Sequence, residues 1–376
     1  MTSTRKKYFE YHAFTLTIFL VVFGLIVLYS ASSVQATRIY GNSLYFFIRQ
    51  AVFCALGIFI MLFVSFFPYK VFTKFSKYFY IAIFILVVIT AFSGRISRGA
   101  SRWISLRGVI FQPSELMKLA LILYLPKIID EISANFDKRE NMTRVLIVAY
   151  VPALVVTLAN LSTGIILFII STAMIFAVSK KKLIFIFLFT LIIISYVFAY
   201  PMSKILNNAG LLKDYQMGRI LAWKDPENYS DIAYQTLQGL YAIGSGKIYG
   251  KGYLASIQKS LLPEAQNDMI FAILCEELGL VGAILFLILY LILIFRIFYI
   301  GARQIKIEPL LISYGIAIHL AIQVILNIGV VTNVLPNTGV TLPFVSYGGT
   351  SLVVTFVEIG IVMSISRNAV KESVDV

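Results

Sequence analysis

The sequence predicts an all-α polytopic membrane protein of ten transmembrane helices, with one large extracytoplasmic loop between the seventh and the eighth. Three observations lead there. The 376 residues are 59% hydrophobic and only 13% charged, with a mean hydropathy of +0.88. They contain ten apolar runs near the length of about 17 to 25 residues that a helix needs to cross a bilayer. The N-terminus, the even-numbered connections and the tail are all basic, whereas the fifth and ninth connections carry no Lys or Arg, as expected of a chain that weaves through a membrane.

In order, the spans are expected over Ala13 to Ser30, Ala51 to Phe67, Tyr78 to Phe92, Pro113 to Ile129 and Arg144 to Leu158. The second half follows with Thr163 to Val178, Leu183 to Tyr200, Met269 to Arg296, Pro309 to Val331 and Thr350 to Ser366. The N-terminus (Arg5, Lys6, Lys7) is basic, as are loops two (Lys70, Lys74, Lys77), four (Lys127, Lys138, Arg139), six (Lys180, Lys181, Lys182) and eight (Arg303, Lys306), and the tail (Arg367, Lys371). By the positive-inside rule these face the cytoplasm, both termini included. Loops five and nine carry no Lys or Arg, and loop seven, 201–268, is long enough to translocate regardless of charge.

The chain reads as a single membrane-embedded unit, 1–376. The apolar core of the first span exceeds the usual 7 to 15 residues of a cleaved signal, so it reads as a retained anchor. Cys54 and Cys275 both fall inside spans, where thiols behave as small apolar groups, and a disulfide is not expected. The net charge of +14 is mostly accounted for by the cytoplasmic loops, so no nucleic acid partner is required. No internal repeat is evident, which disfavours a repeat-built transporter.

Loop three departs from this order. It is short and faces out, yet it carries Arg95, Arg98, Arg102 and Arg107. It runs into Gln112-Pro113-Ser114-Glu115-Leu116-Met117-Lys118, where Pro113 suits the first helical turn of span four. Lys118 then lies roughly 8 Å below the helix start, and Glu115, three residues earlier, shares its face. The pair is either a structural ion pair or, under an arginine-rich rim, part of a phosphate-capturing site; headgroup contact is the alternative for the arginines.

Two further segments gather at the same side. Leu262-Pro263-Glu264-Ala265-Gln266-Asn267-Asp268 closes loop seven, and Asp268 reads either as the N-cap of span eight or as a functional acid. Glu276 and Glu277 follow on the same helix, Glu276 about 12 Å deep by helical rise. Loop nine, Leu335 to Thr350, is apolar but broken by two prolines and by glycines. It is expected to dip back between helices, ending either in a plain helix-entry turn or in an anion-attracting helix start.

The catalytic options are few. His12 is cytoplasmic and His319 lies within span nine, so an outward-facing base must be a carboxylate. No Gly-x-Ser-x-Gly elbow is present. Gly244-Ser245-Gly246-Lys247 lacks Walker spacing and faces out, so it reads as turn sequence in which Lys247 is available for a phosphate contact.

Several segments together resemble the SEDS family of shape, elongation, division and sporulation proteins. They are Gly99-Ala100-Ser101-Arg102-Trp103-Ile104, Gln112-Pro113-Ser114-Glu115 with Lys118, Leu262-Pro263-Glu264 with Asp268, Glu276-Glu277-Leu278-Gly279, and Leu342-Pro343-Phe344-Val345-Ser346-Tyr347-Gly348-Gly349-Thr350. The resemblance spans nearly the whole chain. Asn160-Leu161-Ser162-Thr163, Pro336-Asn337-Thr338-Gly339 and Asn267-Asp268-Met269 look closest to the division branch, with the elongation branch as near neighbour.

The resemblance implies a SEDS fold and a peptidoglycan glycosyltransferase that polymerises lipid II, an undecaprenyl-pyrophosphate-linked disaccharide peptide, on the outer face of the bacterial cytoplasmic membrane. It further implies a class B penicillin-binding transpeptidase as partner, with other divisome proteins at the septum, and a divalent cation, Mg or Mn, of unspecified ligands. Carried over by position, Asp268 is the essential acid, and Arg102, Trp103, Glu115 and Lys118 are cavity residues. Lys247, Glu277, Ser346, Tyr347 and Gly348 complete the expected substrate-binding set. The chain departs from common family patterns at Gln266-Asn267, at Asn160 and Ser162, and at Lys247. Competing readings are a lipid II flippase and a noncatalytic scaffold. Convergence of Arg102, Lys118 and Asp268 on one outer pocket is the central expectation.

Overall fold

The computed structural model describes residues 10–93, 95–97, 100–106, 109–136, 138–180, 182, 190, 201, 203, 205 and 214–368; at 92–93, 95–97, 100–106, 109–110 and 214–216 only the backbone is described. The described helices are α1 (Tyr11–Tyr40), α2 (Tyr45–Phe66), α3 (Tyr69–Ser93), α4 (Pro113–Glu131), α5 (Arg139–Ala159), α6 (Leu161–Val178), α7 (Asp214–Lys224), α8 (Ser230–Gly246), α9 (Ile270–Ala302), α10 (Ile307–Val331) and α11 (Gly349–Asn368). Nine of the ten expected spans coincide with helices; of the seventh, Thr190 alone is among the described residues.

Eight of these helices, α1, α2, α3, α5, α6, α9, α10 and α11, are long and apolar enough to cross a membrane. Their lipid-facing surfaces stay apolar: Phe59, Phe63, Ile85, Leu154, Leu285 and Phe295 are all exposed on the isolated chain. Water would not tolerate so much exposed hydrocarbon, whereas acyl chains match it.

α4 differs because charges crowd both its ends, Glu115 and Lys118 at one and Lys127, Asp130 and Glu131 at the other. It is nevertheless central. Every residue from Met117 to Pro126 is buried, and the helix packs against α3, α5, α6, α10 and α11. Pro113 occupies its first turn, as its missing N–H allows.

Two clusters of contacts define the faces of the bundle. On one, Glu10 binds Arg296 of α9 at 2.7 Å and accepts from Ser366 of α11 at 3.0 Å, while Lys127 donates to the Thr73 carbonyl at 3.2 Å. Residues at the two ends of the described chain therefore meet on one side, as an even number of crossings requires. At the opposite face lie loop three, the connection 214–268 and loop nine.

Loop three is a sheet rather than irregular chain. β1 (Arg95–Ser97), β2 (Ala100–Leu106) and β3 (Val109–Phe111) form an antiparallel meander in the order β1-β2-β3, with Trp103 paired to Arg95 and Ile104 to Phe111. Antiparallel pairing gives the backbone of so short a segment partners within itself.

Span eight is also not one continuous helix. α9 is broken at Gly279, whose φ of 68° and ψ of −168° no L residue adopts easily. The groups freed there bind the chain following α8: Lys251 N–H donates to the Glu276 carbonyl at 2.9 Å, Gly252 N–H to Glu277 at 3.0 Å, and Leu280 N–H to the Lys247 carbonyl at 2.9 Å. The apolar stretch beyond Gly279 is itself long enough to span; the part before it, Ile270 to Glu277, is buried in protein. Glu276 and Glu277 thus sit at a junction of loop and helix, not partway down an unbroken span.

Candidate active site

Asp268 lies two residues ahead of α9. The N-cap of that helix is Met269, with no side-chain cap, so helix capping does not account for Asp268. Its carboxylate instead accepts from Gln235 Nε2 at 3.1 Å, and its backbone carbonyl accepts from Asn327 Nδ2 of α10 at 2.7 Å. The side chain is half-buried. Gly339 of loop nine, at φ +70°, comes close enough that an added Cβ would stand 3.8 Å from Asp268 Oδ2. Three separate segments, α8, α10 and loop nine, therefore converge on this one acid.

Loop nine does dip into the bundle. Leu342, Phe344, Val345 and Ser346 are buried, and an added Cβ on Gly24 of α1 would stand 2.8 Å from the Phe344 carbonyl. Gly24 is six residues from Ser30, which contacts Glu277, so the loop descends about 9 Å below that level by helical rise. Its backbone is satisfied by protein, as non-helical chain at membrane depth must be. Gln50 Nε2 donates to the Ser346 carbonyl at 3.0 Å, Tyr347 N–H to the Gln266 carbonyl at 2.8 Å, and Tyr290 to the Pro343 carbonyl.

The expected substrate-binding residues divide by environment. Ser346 uses its hydroxyl internally, accepting from Leu342 N–H at 2.8 Å. Tyr347 packs edge-on to Phe46, with ring centroids 5.1 Å apart. Gly348 faces open space. Lys247 is exposed, in a positive-φ turn against the α9 break. Glu277 is enclosed: it accepts from Ser30 Oγ and from Ser256 N–H, and Lys259 Nζ stands 3.6 Å away. Glu276 is held likewise by Lys251 at 2.6 Å and by Ser256. These two acids clamp the chain after α8 to the broken helix.

Lys118 is 0% exposed and forms an ion pair with Glu115 at 2.9 Å. The pairing expected from the i, i+3 spacing is therefore formed, and it is compatible both with a structural ion pair and with a part in a phosphate-capturing site. Arg102 and Trp103 occupy adjacent positions of β2, and their side chains lie outside the described residues, as do Arg98 and Arg107. The expected convergence of Arg102 with Asp268 therefore concerns a side chain that is not described. Lys118 and Asp268 are linked through α10, against which α4 packs and from which Asn327 reaches Asp268.

The sequence alone assigns no site role to Gln235, to Asn337 or to the buried stripe His319, Gln323 and Asn327. The stripe carried a signal, since polar residues at i, i+4 and i+8 within an apolar span share one helix face. His319 bonds both oxygens of Glu358 at 2.9 Å, and both residues are buried.

The divalent cation fits poorly here. Among the described residues no group of three or more His, Cys, Asp or Glu is placed to hold a metal. Glu115, Glu276 and Glu277 are each matched by a lysine and Glu358 by His319. Cys54 and Cys275 are both free and buried.

The family described as "Cell cycle protein", which joins FtsW, RodA and SpoVE, matches residues 11–371. The stage V sporulation protein E of Bacillus subtilis is 34% identical over 358 residues, covering 94% of this chain and 95% of its own length. The probable peptidoglycan glycosyltransferase FtsW of Coxiella burnetii is 33% identical over 359 residues, covering 93% of this chain and 94% of its own. A chain from the structure described as "Structural coordination of polymerization and crosslinking by a peptidoglycan synthase complex" superposes with a TM-score of 0.77 at 24% identity, covering 97% of this chain and 99% of that one. The Rod shape determining protein RodA of Thermus thermophilus superposes with a TM-score of 0.69 at 23% identity, covering 97% and 98%. Those two structures share the fold, and the match along nearly the full length, with relatives above 30% identity, shows that the chain belongs to the SEDS family.

Proposed function

We propose that this chain is a peptidoglycan glycosyltransferase that polymerises lipid II at the outer face of the cytoplasmic membrane, in septal wall synthesis. Relatives of the division branch carry the name of that activity over nearly their whole length. The observation that carries the mechanism is the Asp268 carboxylate, held half-exposed by Gln235 beside a side-chain-free Gly339.

The growing glycan reaches the enzyme attached through its anomeric carbon to a lipid pyrophosphate, so bond energy arrives with the substrate. Asp268 accepts the proton of the incoming sugar's 4-hydroxyl as that oxygen attacks the anomeric carbon. The new glycosidic bond forms while the carbon–pyrophosphate bond breaks, and the lipid pyrophosphate leaves with the electron pair. A positioned base contributes typically about 10² to 10⁴-fold to such a step. Arg102, on the strand facing the same side, is assigned to the leaving pyrophosphate, where a guanidinium fork matches phosphate oxygens. Lys118 is assigned to the same pyrophosphate, with Glu115 holding its ammonium in place at 2.9 Å.

The apolar helices keep the lipid tails in the bilayer throughout. The basic loops on the Glu10 face support a cytoplasmic assignment of that face and, with it, of both termini. A class B penicillin-binding transpeptidase is the proposed partner, since a glycan polymer without crosslinks is not a wall; other divisome proteins would bring it to the septum.

Fluorescent lipid II in liposomes containing the purified protein tests the reading. Polymer without leaflet transfer supports a polymerase. Leaflet transfer without polymer would favour a flippase, and neither would favour a scaffold.

A further inference from the structure

Gln235 belongs to none of the motifs that identify the family here, yet its side chain grips the Asp268 carboxylate. Its Nε2 donates to Asp268 Oδ1 at 3.1 Å and to the Pro263 carbonyl at 3.2 Å, and its Oε1 accepts from Asn337 Nδ2 at 2.9 Å. A carboxylate and a carbonyl only accept, so a flipped amide would set Oε1 against two acceptors; one orientation is compatible with the surroundings. Asn337 is tethered in turn, with Arg219 of α7 donating to its carbonyl at 3.2 Å. Gln235 thereby ties α8, loop nine and the turn before α9 to one oxygen of the acid.

We propose that Gln235 is a positioning residue for the glycosyl transfer, fixing the direction of the Asp268 carboxylate and favouring its ionised, proton-accepting form. The inference rests on Asp268 being the base. An N–H donor lowers the energy of a carboxylate anion relative to its acid, and a neighbouring negative charge raises it. Among the described residues, the elements that meet at this contact carry Arg219 on α7, Asp231 one turn before Gln235 on α8, and Glu264, which accepts from Asn267 on the turn that holds Asp268, while the arginines of loop three have side chains outside the described residues. α10 presents the neutral Asn327, and loop nine, 332–348, carries no charged residue. The 3.1 Å contact carries a change at Gln235 to the Asp268 carboxylate.

The test measures the rate of lipid II polymerisation against pH for the full-length protein in detergent, as wild type and as Gln235→Leu and Gln235→Glu, with Asp268→Asn as control. Gln235→Leu is expected to lower kcat about 10- to 100-fold, the usual loss when an outer partner of a working group is removed, with little change in KM. The acidic limb of the pH profile should move to higher pH in Gln235→Leu and further in Gln235→Glu. An unmoved limb in both variants, whether or not activity falls, would reduce Gln235 to a structural role and overturn the proposal. If Gln235→Leu does not fold, Gln235→Glu, which keeps the shape of the side chain, decides on the same criterion. Polymer from Asp268→Asn would contradict the base assignment itself, a failure separate from that of Gln235.

Discussion

Asn327 clasps the backbone of Asp268 from inside the bundle: one amide nitrogen donates to the Asp268 carbonyl at 2.7 Å and to the Val340 carbonyl at 2.8 Å. A single buried side chain thus sets the height of the acid against loop nine. Asn327→Leu keeps the volume but leaves two buried carbonyls without donors, at about 1–3 kcal/mol for each unsatisfied group. The variant is expected to unfold several degrees below wild type in a detergent thermal melt and to lose polymerisation more steeply than stability. Wild-type activity in this variant would mean that the clasp does not position Asp268.

The Glu115–Lys118 pair invites a test that separates structure from function. Removing either partner strands a buried charge, so Glu115→Gln and Lys118→Met are each expected to cost about 3–5 kcal/mol. The double variant removes both charges and should recover most of that stability. If polymerisation stays low while the melting temperature recovers, the positive charge at Lys118 serves the reaction; if both recover, the pair only holds the helix end.

Gly250 tests the clamp at the broken helix. At φ +79°, an added Cβ would stand 2.2 Å from the Glu277 carbonyl. Gly250→Ala cannot be accommodated without moving the backbone that caps Glu276 and Glu277, and a loss of about 1–3 kcal/mol is expected from the conformation alone. Limited proteolysis should cut the 247–260 segment faster in this variant. Gly244→Ala, where a Cβ meets open space, should not change the pattern.

Much of this architecture was legible because membranes constrain sequence strongly. Apolar runs marked nine helices that the structure describes, Pro113 marked the start of α4, and the prolines of loop nine marked a segment that cannot continue as helix. The break at Gly279 was not legible: Leu278-Gly279-Leu280-Val281 reads as uninterrupted hydrophobic helix, and its backbone is satisfied only by chain some 30 residues earlier. The occupation of Glu276 and Glu277 by Lys251 and Lys259 depends on that same long-range fold. Gln235 was hidden for another reason, since a lone amide on an amphipathic helix carries no local pattern and gains meaning only from what stands opposite.

The most direct measurement is polymerisation of purified lipid II by the isolated chain, with any transpeptidase present unable to make glycan, comparing wild type with Asp268→Asn. The account expects long glycan strands from wild type and a loss of at least about 10²-fold in the variant, at equal membrane insertion and equal melting temperature. Glycan strands formed at comparable rates by Asp268→Asn would contradict it.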